Sequence, residues 1–160
     1  MTERIAICPG SFDPITFGHI DIISRASVMF DKVIVVIMKN MNKKGCFSPL
    51  ERKSFILKTT KDLPNVEVDI YDGLLAEYAK QKNACAIIKG LRAMSDFEYE
   101  FQMALANKKL NPNVETLFLT TNSKYMHLSS SLIKQIASMG GDVSEFVPEV
   151  IHKDIIERLK

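Results

Sequence analysis

Five short apolar runs, Ile5 to Cys8, Val33 to Ile37, Val66 to Ile70, Ala86 to Ile88 and Thr116 to Leu119, recur along the chain with an amphipathic stretch between each pair. Runs of this length, rich in β-branched residues, read as buried strands. Strands alternating with helical patterns imply an α/β fold with a parallel, doubly wound sheet. Helices are expected at Ile20 to Phe30, where Ile20, Ile23, Ala26 and Phe30 lie near helical spacing, and around Leu74 to Gln81, Asp96 to Leu110, Ser130 to Ser138 and Pro148 to Leu159. A further helix has a clear start at Ser48-Pro49-Leu50-Glu51, with a capping hydroxyl, proline at the first helical position and a glutamate three residues after the cap.

The 160 residues suit one domain, 1–160, with a core that needs neither disulfides nor metal. A net charge of +2 is too balanced to mark a nucleic-acid binder, so anion binding has to come from local placement of Lys and Arg. No apolar run approaches membrane length and no secretory segment opens the chain, so a cytoplasmic protein without a membrane partner is expected. Cys8, Cys46 and Cys85 are scattered, without metal-ligand spacing, and read as free thiols. Cys8 and Cys85, in or beside apolar runs, are expected to be packed as small hydrophobes.

Chemistry is concentrated in Pro9-Gly10-Ser11-Phe12-Asp13-Pro14-Ile15-Thr16-Phe17-Gly18-His19, which joins the first strand to the first helix. Gly10 permits a turn or a close approach to a ligand, and Gly18 lies where the unpaired N–H groups of a helix start meet the positive end of its dipole. Phosphate is the natural ligand of such a place. Neither the GxxxxGK[ST] loop nor the GxGxxG fingerprint is present, which removes those two phosphate-binding classes. Ligands of doubly wound sheets sit beyond the carboxyl ends of the strands, where the strand order reverses.

FDPITFGH resembles the TxGH form of the HxGH signature of the nucleotidyltransferase superfamily, in the branch of the bacterial phosphopantetheine adenylyltransferases. Lys43-Lys44, Lys89-Gly90-Leu91-Arg92-Ala93, Asp96-Phe97-Glu98-Tyr99-Glu100 and Ser129-Ser130-Ser131-Leu132-Ile133-Lys134 follow in the order of that family, so the resemblance spans essentially the whole chain. It implies a Rossmann-like, five-stranded sheet of order 3-2-1-4-5 with C-terminal helices. It also implies adenylyl transfer from ATP to 4'-phosphopantetheine with Mg2+ accompanying ATP, and a homohexamer. In that order the reversal falls between strands 1 and 4, whose ends carry PGSFDPITFGH and KGLRA.

The resemblance further implies site residues. His19 would donate to an α-phosphate oxygen of ATP as charge builds there, with Lys43 and Arg92 as the other catalytic cations. Lys44, next to Lys43, is the alternative phosphate ligand. ATP would also meet Gly10, Ser11, Phe12, Gly18, Glu100, Tyr125, Ser129 and Ser130. The acceptor would meet Ser11, Lys43, Lys89, Tyr99 and Asn107, with Leu74 and Leu75 along the pantetheine arm. Lys89 stands where the family more often has Arg, and Lys is a point charge without the bidentate fork. Lys89 and Arg92 are expected to flank a Gly-Leu turn after the fourth strand. Glu98 and Glu100, two apart on a helix, do not share a face and do not form an acid/base pair. Thr16 in place of the first His speaks against the pyridine- and cytidylyl-nucleotide relatives. Another small nucleotidyltransferase, or a non-catalytic nucleotide sensor on the same fold, are the competing alternatives.

Overall fold

The computed structural model describes residues 1–39 and 44–160. The elements run β1 (Ile5–Gly10), α1 (Phe17–Met29), β2 (Lys32–Met38), α2 (Pro49–Thr59), β3 (Val66–Tyr71), α3 (Leu75–Gln81), β4 (Ala86–Leu91), α4 (Met94–Leu110), β5 (Glu115–Thr120), α5 (Ser130–Ser138) and α6 (Glu149–Leu159). A 3-10 turn at Ser123–Tyr125 precedes α5. All strand pairings are parallel and the sheet order is β3-β2-β1-β4-β5, as expected.

The period-2 alternation of the strands divides the core into two layers. Ala6 and Cys8 of β1, Val33, Val35 and Ile37 of β2 and Ala86 and Ile88 of β4 pack under Ile23 and Ala26 of α1, Ile56 of α2, Ile133 of α5 and Ile151 and Ile155 of α6. Ile7, Ile34, Val36 and Ile87 point the other way and meet Tyr78 and Ala79 of α3. On that second face α4 buries only Asn107, while Phe101, Met103, Leu105 and Leu110 stay exposed.

The helix starts follow local chemistry. Ser48 Oγ accepts from the Glu51 N–H at 3.2 Å and Glu51 Oε2 accepts from the Ser48 N–H at 2.7 Å, closing the capping box that the sequence predicts. Arg158 of α6 also pairs with Glu51 and joins the two helices.

β1 lies against β2 along its full length, from Ile5–Lys32 to Gly10–Ile37, but against β4 only at Ala6–Ala86 and Ile7–Ile87. Past that point the two central strands part toward their carboxyl ends.

Two expectations are corrected. β4 does not end at Ile88: Lys89 pairs with Phe118, Gly90 with Leu119 and Leu91 with Thr120, so Lys89 and Gly90 belong to the strand and the chain turns only after Leu91. Gly90 permits this because a Cβ there would lie 3.0 Å from Ile22 Cγ1 of α1, so the helix packs directly on the strand backbone. Cys85 is exposed, whereas Cys8 is buried as expected.

Replacing Gly90 by Val pushes α1 from β4. We expect Gly90→Val to destabilise the fold by about 1–3 kcal/mol, the usual cost of overpacking, read from urea unfolding midpoints. An unchanged midpoint would show that α1 does not depend on this approach.

Candidate active site

A cleft of about 380 Å³ opens where β1 and β4 separate. Its walls include Gly10, Ser11 and Phe12 after β1, Gly18 and His19 of α1, Lys89 and Arg92 of β4 and its end, Glu100 of α4, Tyr125, and Ser129 to Ser131 at the start of α5.

The first turn of α1 fixes the imidazole. Thr16 is the N-cap, and its hydroxyl accepts from the His19 N–H at 3.3 Å. In return the Thr16 N–H donates to His19 Nδ1 at 3.0 Å. This is a capping box with His at the third helical position in place of the usual Glu or Gln. A backbone N–H can only donate, so Nδ1 presents its lone pair and the proton of the neutral ring sits on Nε2. Phe12 packs edge-on to the ring, with centroids 5.1 Å apart. Burial first, then the positive charges of Arg92 and Lys89, push the His19 pKa down to about 4. At neutral pH His19 is therefore an uncharged Nε2–H donor.

Phe12 reaches the ring through a left-handed backbone, φ +47°. Such a conformation in a non-glycine residue costs on the order of 1–3 kcal/mol and persists only where its surroundings enforce it. Gly10 makes room for it, since a Cβ at that position would sit 3.0 Å from the Phe12 ring.

The cations on the opposite wall are held by partners. Lys89 Nζ lies 3.4 Å from Glu100 Oε2. Arg92 Nη1 donates to the Leu128 carbonyl at 2.6 Å, and its Nε is 3.8 Å from Asp96 Oδ2, so the side chain bridges from the end of β4 to the loop before α5. Ser129 Oγ caps α5 by accepting from the Leu132 N–H at 3.1 Å, and Ser130 Oγ donates to the Pro14 carbonyl at 2.8 Å. What these two serines offer the cleft is thus mainly the N–H groups of a helix start, which have no partner within the helix. Tyr125 stacks on Phe17, with centroids 6.2 Å apart.

Two further cavities adjoin the cleft. One of about 110 Å³ shares Lys89 and Glu100 with it and is bounded by Leu75, Tyr99, Met103 and Asn107. The other, of about 440 Å³, shares Ser11, Ser130 and Ser131 and is bounded by Lys39, Lys44, Arg52 and Lys134. Of the predicted site residues, Leu74 lines none of these cavities and is 60% exposed. Lys43 lies outside the described residues. Three side chains with a place in the site received no role from the sequence: Asp13 and Lys134, which lie inside the quoted motifs, and Arg52, which lies outside them. An acid inside FDP, flanked by apolar residues and proline, is the one signal for the first of them.

The sequence profile of the cytidylyltransferase-like family matches residues 7–136, a span that holds every element lining the cleft. The chain is 61% identical to the phosphopantetheine adenylyltransferase of Caldanaerobacter subterraneus subsp. tengcongensis, covering 98% of each. It is 59% identical to that of Clostridium tetani, covering 97% of each. Among solved structures it superimposes on the nicotinic acid mononucleotide adenylyltransferase of Plasmodium falciparum with a TM-score of 0.67 at 15% identity, over 98% of this chain and 94% of the other, a likeness of fold. This chain belongs to the cytidylyltransferase-like nucleotidyltransferases and, within them, to the phosphopantetheine adenylyltransferase family.

The neutral imidazole has a signature in stability. Its folded pKa of about 4 lies below the ordinary 6.5, so between those values the unfolded chain binds the proton more readily and stability falls as pH drops. Gln at position 19 can keep the capping box without titrating. We expect the difference in urea midpoint between wild type and His19→Gln to be constant above pH 6.5 and to move against the wild type toward pH 4. Parallel curves would remove the neutral-imidazole assignment.

Proposed function

We propose that residues 1–160 act as one catalytic domain that transfers the adenylyl group of ATP to 4'-phosphopantetheine, giving dephospho-coenzyme A and pyrophosphate, the penultimate step of coenzyme A synthesis. The observation that carries the chemistry is the convergence of a neutral Nε2–H donor, His19, and two cations, Lys89 and Arg92, on the gap between β1 and β4. The choice of acceptor rests on relatives, about three-fifths identical over nearly their whole length, that bear the name phosphopantetheine adenylyltransferase.

The reaction needs no covalent enzyme intermediate. An oxygen of the acceptor phosphate attacks the α-phosphorus of ATP, a new P–O bond forms, and the bond to the bridging oxygen breaks as pyrophosphate leaves with the electron pair. The protein aligns two anions and stabilises charge, and alignment alone can supply on the order of 7 to 11 kcal/mol. His19 Nε2–H donates to the α-phosphate, which gains negative charge in the transition state. The start of α5 at Ser129 and Ser130, together with Arg92, takes the rest of the triphosphate. Tyr125 flanks the adenine and Glu100 the ribose, while Gly10, Phe12 and Gly18 shape the wall.

Ser11, Lys43 or its neighbour Lys44, and Lys89 receive the acceptor phosphate. The pantetheine arm runs past Leu74 into the cavity of Leu75, Tyr99 and Asn107. The Lys89–Glu100 pair stands on the boundary of the two cavities and so on the boundary of the two substrates.

A Mg2+ ion accompanying ATP would neutralise triphosphate charge. Among the described residues no group of three acids, imidazoles or thiols stands close enough to cage a metal, which suits an ion carried on phosphate oxygens and water. The protein works in the cytoplasm as a homohexamer. Self-association is supported by the apolar side chains Phe101, Met103 and Leu105 that α4 leaves exposed. Among the described residues no helix is long and apolar enough to cross a membrane.

The test is pyrophosphate release with MgATP and, in turn, 4'-phosphopantetheine, nicotinamide mononucleotide and glycerol 3-phosphate. Release with phosphopantetheine alone, with dephospho-coenzyme A identified by mass, is the expected result, and release with another acceptor overturns the substrate. His19→Ala should lower kcat by about 100- to 1,000-fold, the usual cost of one lost donor to a developing charge, with ATP affinity nearly unchanged. An equal loss in both would remove His19 from the transition state.

A further inference from the structure

Asp13 has no part in the chemistry above, yet its carboxylate is buried, 5% exposed, beside the cleft. Oδ1 accepts from the Phe47 N–H at 2.9 Å and Oδ2 from the Cys46 N–H at 2.8 Å. Lys134 Nζ of α5 donates to Oδ2 at 3.3 Å, and Arg52 Nε of α2 lies 3.9 Å from Oδ1. Arg52, itself buried, donates from Nε to the Phe47 carbonyl and from Nη1 to the Ser11 carbonyl, each at 2.9 Å. The loop after β1 and the segment after β2 are thereby tied at Asp13, Ser11, Cys46 and Phe47. Gly45 passes so close that a Cβ there would stand 2.8 Å from Arg52 Nη2 and 3.0 Å from the Phe47 carbonyl oxygen.

A buried carboxylate is expensive unless paired and fully hydrogen-bonded, and apolar side chains would join the two segments at lower cost. What a carboxylate adds is direction: two short bonds to successive N–H groups fix where the segment after β2 lies relative to the loop after β1. Ser11 stands two residues before Asp13 and Lys44 two residues before Cys46, and both line the cavity of about 440 Å³ at the cleft's edge.

We propose that Asp13 is a positioning residue: by binding the Cys46 and Phe47 amides it sets the separation of Ser11 and Lys44, so that one acceptor phosphate can meet both. The proposal rests on the assignment of Ser11 and the lysine pair to the acceptor phosphate. Asp13 acts mainly on the acceptor side of the site, because the two amides it binds belong to the segment after β2 and not to α1 or the start of α5.

The test uses the full chain with Asp13→Asn and Asp13→Glu, the second keeping the charge should the first not fold. Ile155→Ala on α6, in the core away from the cleft, is the control for general destabilisation. Both Asp13 variants should lose about 100-fold in kcat/KM for 4'-phosphopantetheine, as a displacement of about 1 Å can cause, with the Kd of MgATP within about twofold of wild type. Amide exchange at Cys46 and Phe47, measured without substrate, should accelerate in both. Ile155→Ala should lower the melting temperature without that split. A folded Asp13 variant with unchanged acceptor kcat/KM, or one losing ATP and acceptor together as Ile155→Ala does, overturns the proposal. Wild-type turnover of a different acceptor would overturn the substrate assignment, while the Cys46 and Phe47 exchange would still decide whether Asp13 holds the segment.

Discussion

The early parting of β1 and β4 is the constraint on which the site depends. The two strands share backbone pairing only at Ala6–Ala86 and Ile7–Ile87, yet β1 continues to Gly10 along β2 and β4 continues to Leu91 along β5. Each central strand stays bonded on its outer side while its inner side opens, so the sheet remains stable around a gap. The gap is where a doubly wound order reverses, because the connections from β1 and β4 leave in opposite directions. Into it point the start of α1, with His19, and the end of β4, with Lys89 and Arg92. Gly90 makes that juxtaposition possible, since a side chain there would press on Ile22 and move α1 from the strand.

The sequence of elements was legible because strand alternation and helical spacing are properties of neighbouring residues, whereas the sheet order followed from the family resemblance, since which strands lie side by side is not a property of neighbouring residues. The start of α2 was legible for the same reason: Ser48, Pro49 and Glu51 carry the cap within four positions. The end of β4 was not, because Gly-Leu after an apolar run has the composition of a turn, and only the pairing of Lys89 and Gly90 with β5 makes it strand. The start of α1 at Phe17, three residues before the first apolar-periodic position Ile20, follows from the Thr16–His19 box, where His does the work usually given to Glu or Gln. The left-handed Phe12 leaves no trace in composition, since glycine is the usual marker of positive φ. Asp13 and Arg52 would both be assigned to the surface by residue type. Their burial follows from contacts between segments more than 30 positions apart, such as Asp13 with Cys46 and Phe47 and Arg52 with Ser11. Motifs therefore located the cleft and most of its wall, and the supports beneath that wall had to come from tertiary structure.

The electrostatics of the cleft narrow the chemistry it can perform. Its cations are tied to backbone or carboxylate partners, Arg92 to Leu128 and Asp96 and Lys89 to Glu100. Those same charges, with burial, keep His19 neutral. A protonated imidazole beside them would be a strong donor but would be repelled by Arg92 and Lys89. A neutral one, with Nδ1 occupied by the Thr16 N–H, donates from Nε2 and cannot act as a base through Nδ1. Cys8, in the floor of the cleft, is no alternative nucleophile, because burial pushes its thiol up to about 12 and leaves it protonated. With the Cys8 thiol protonated and the His19 imidazole neutral, the cleft offers donors and cations, which suits the proposed direct joining of two phosphates that are already anionic. For the proposed reaction the orientation of the acceptor is the remaining variable, and the buried carboxylate of Asp13 joins the two segments that would set it.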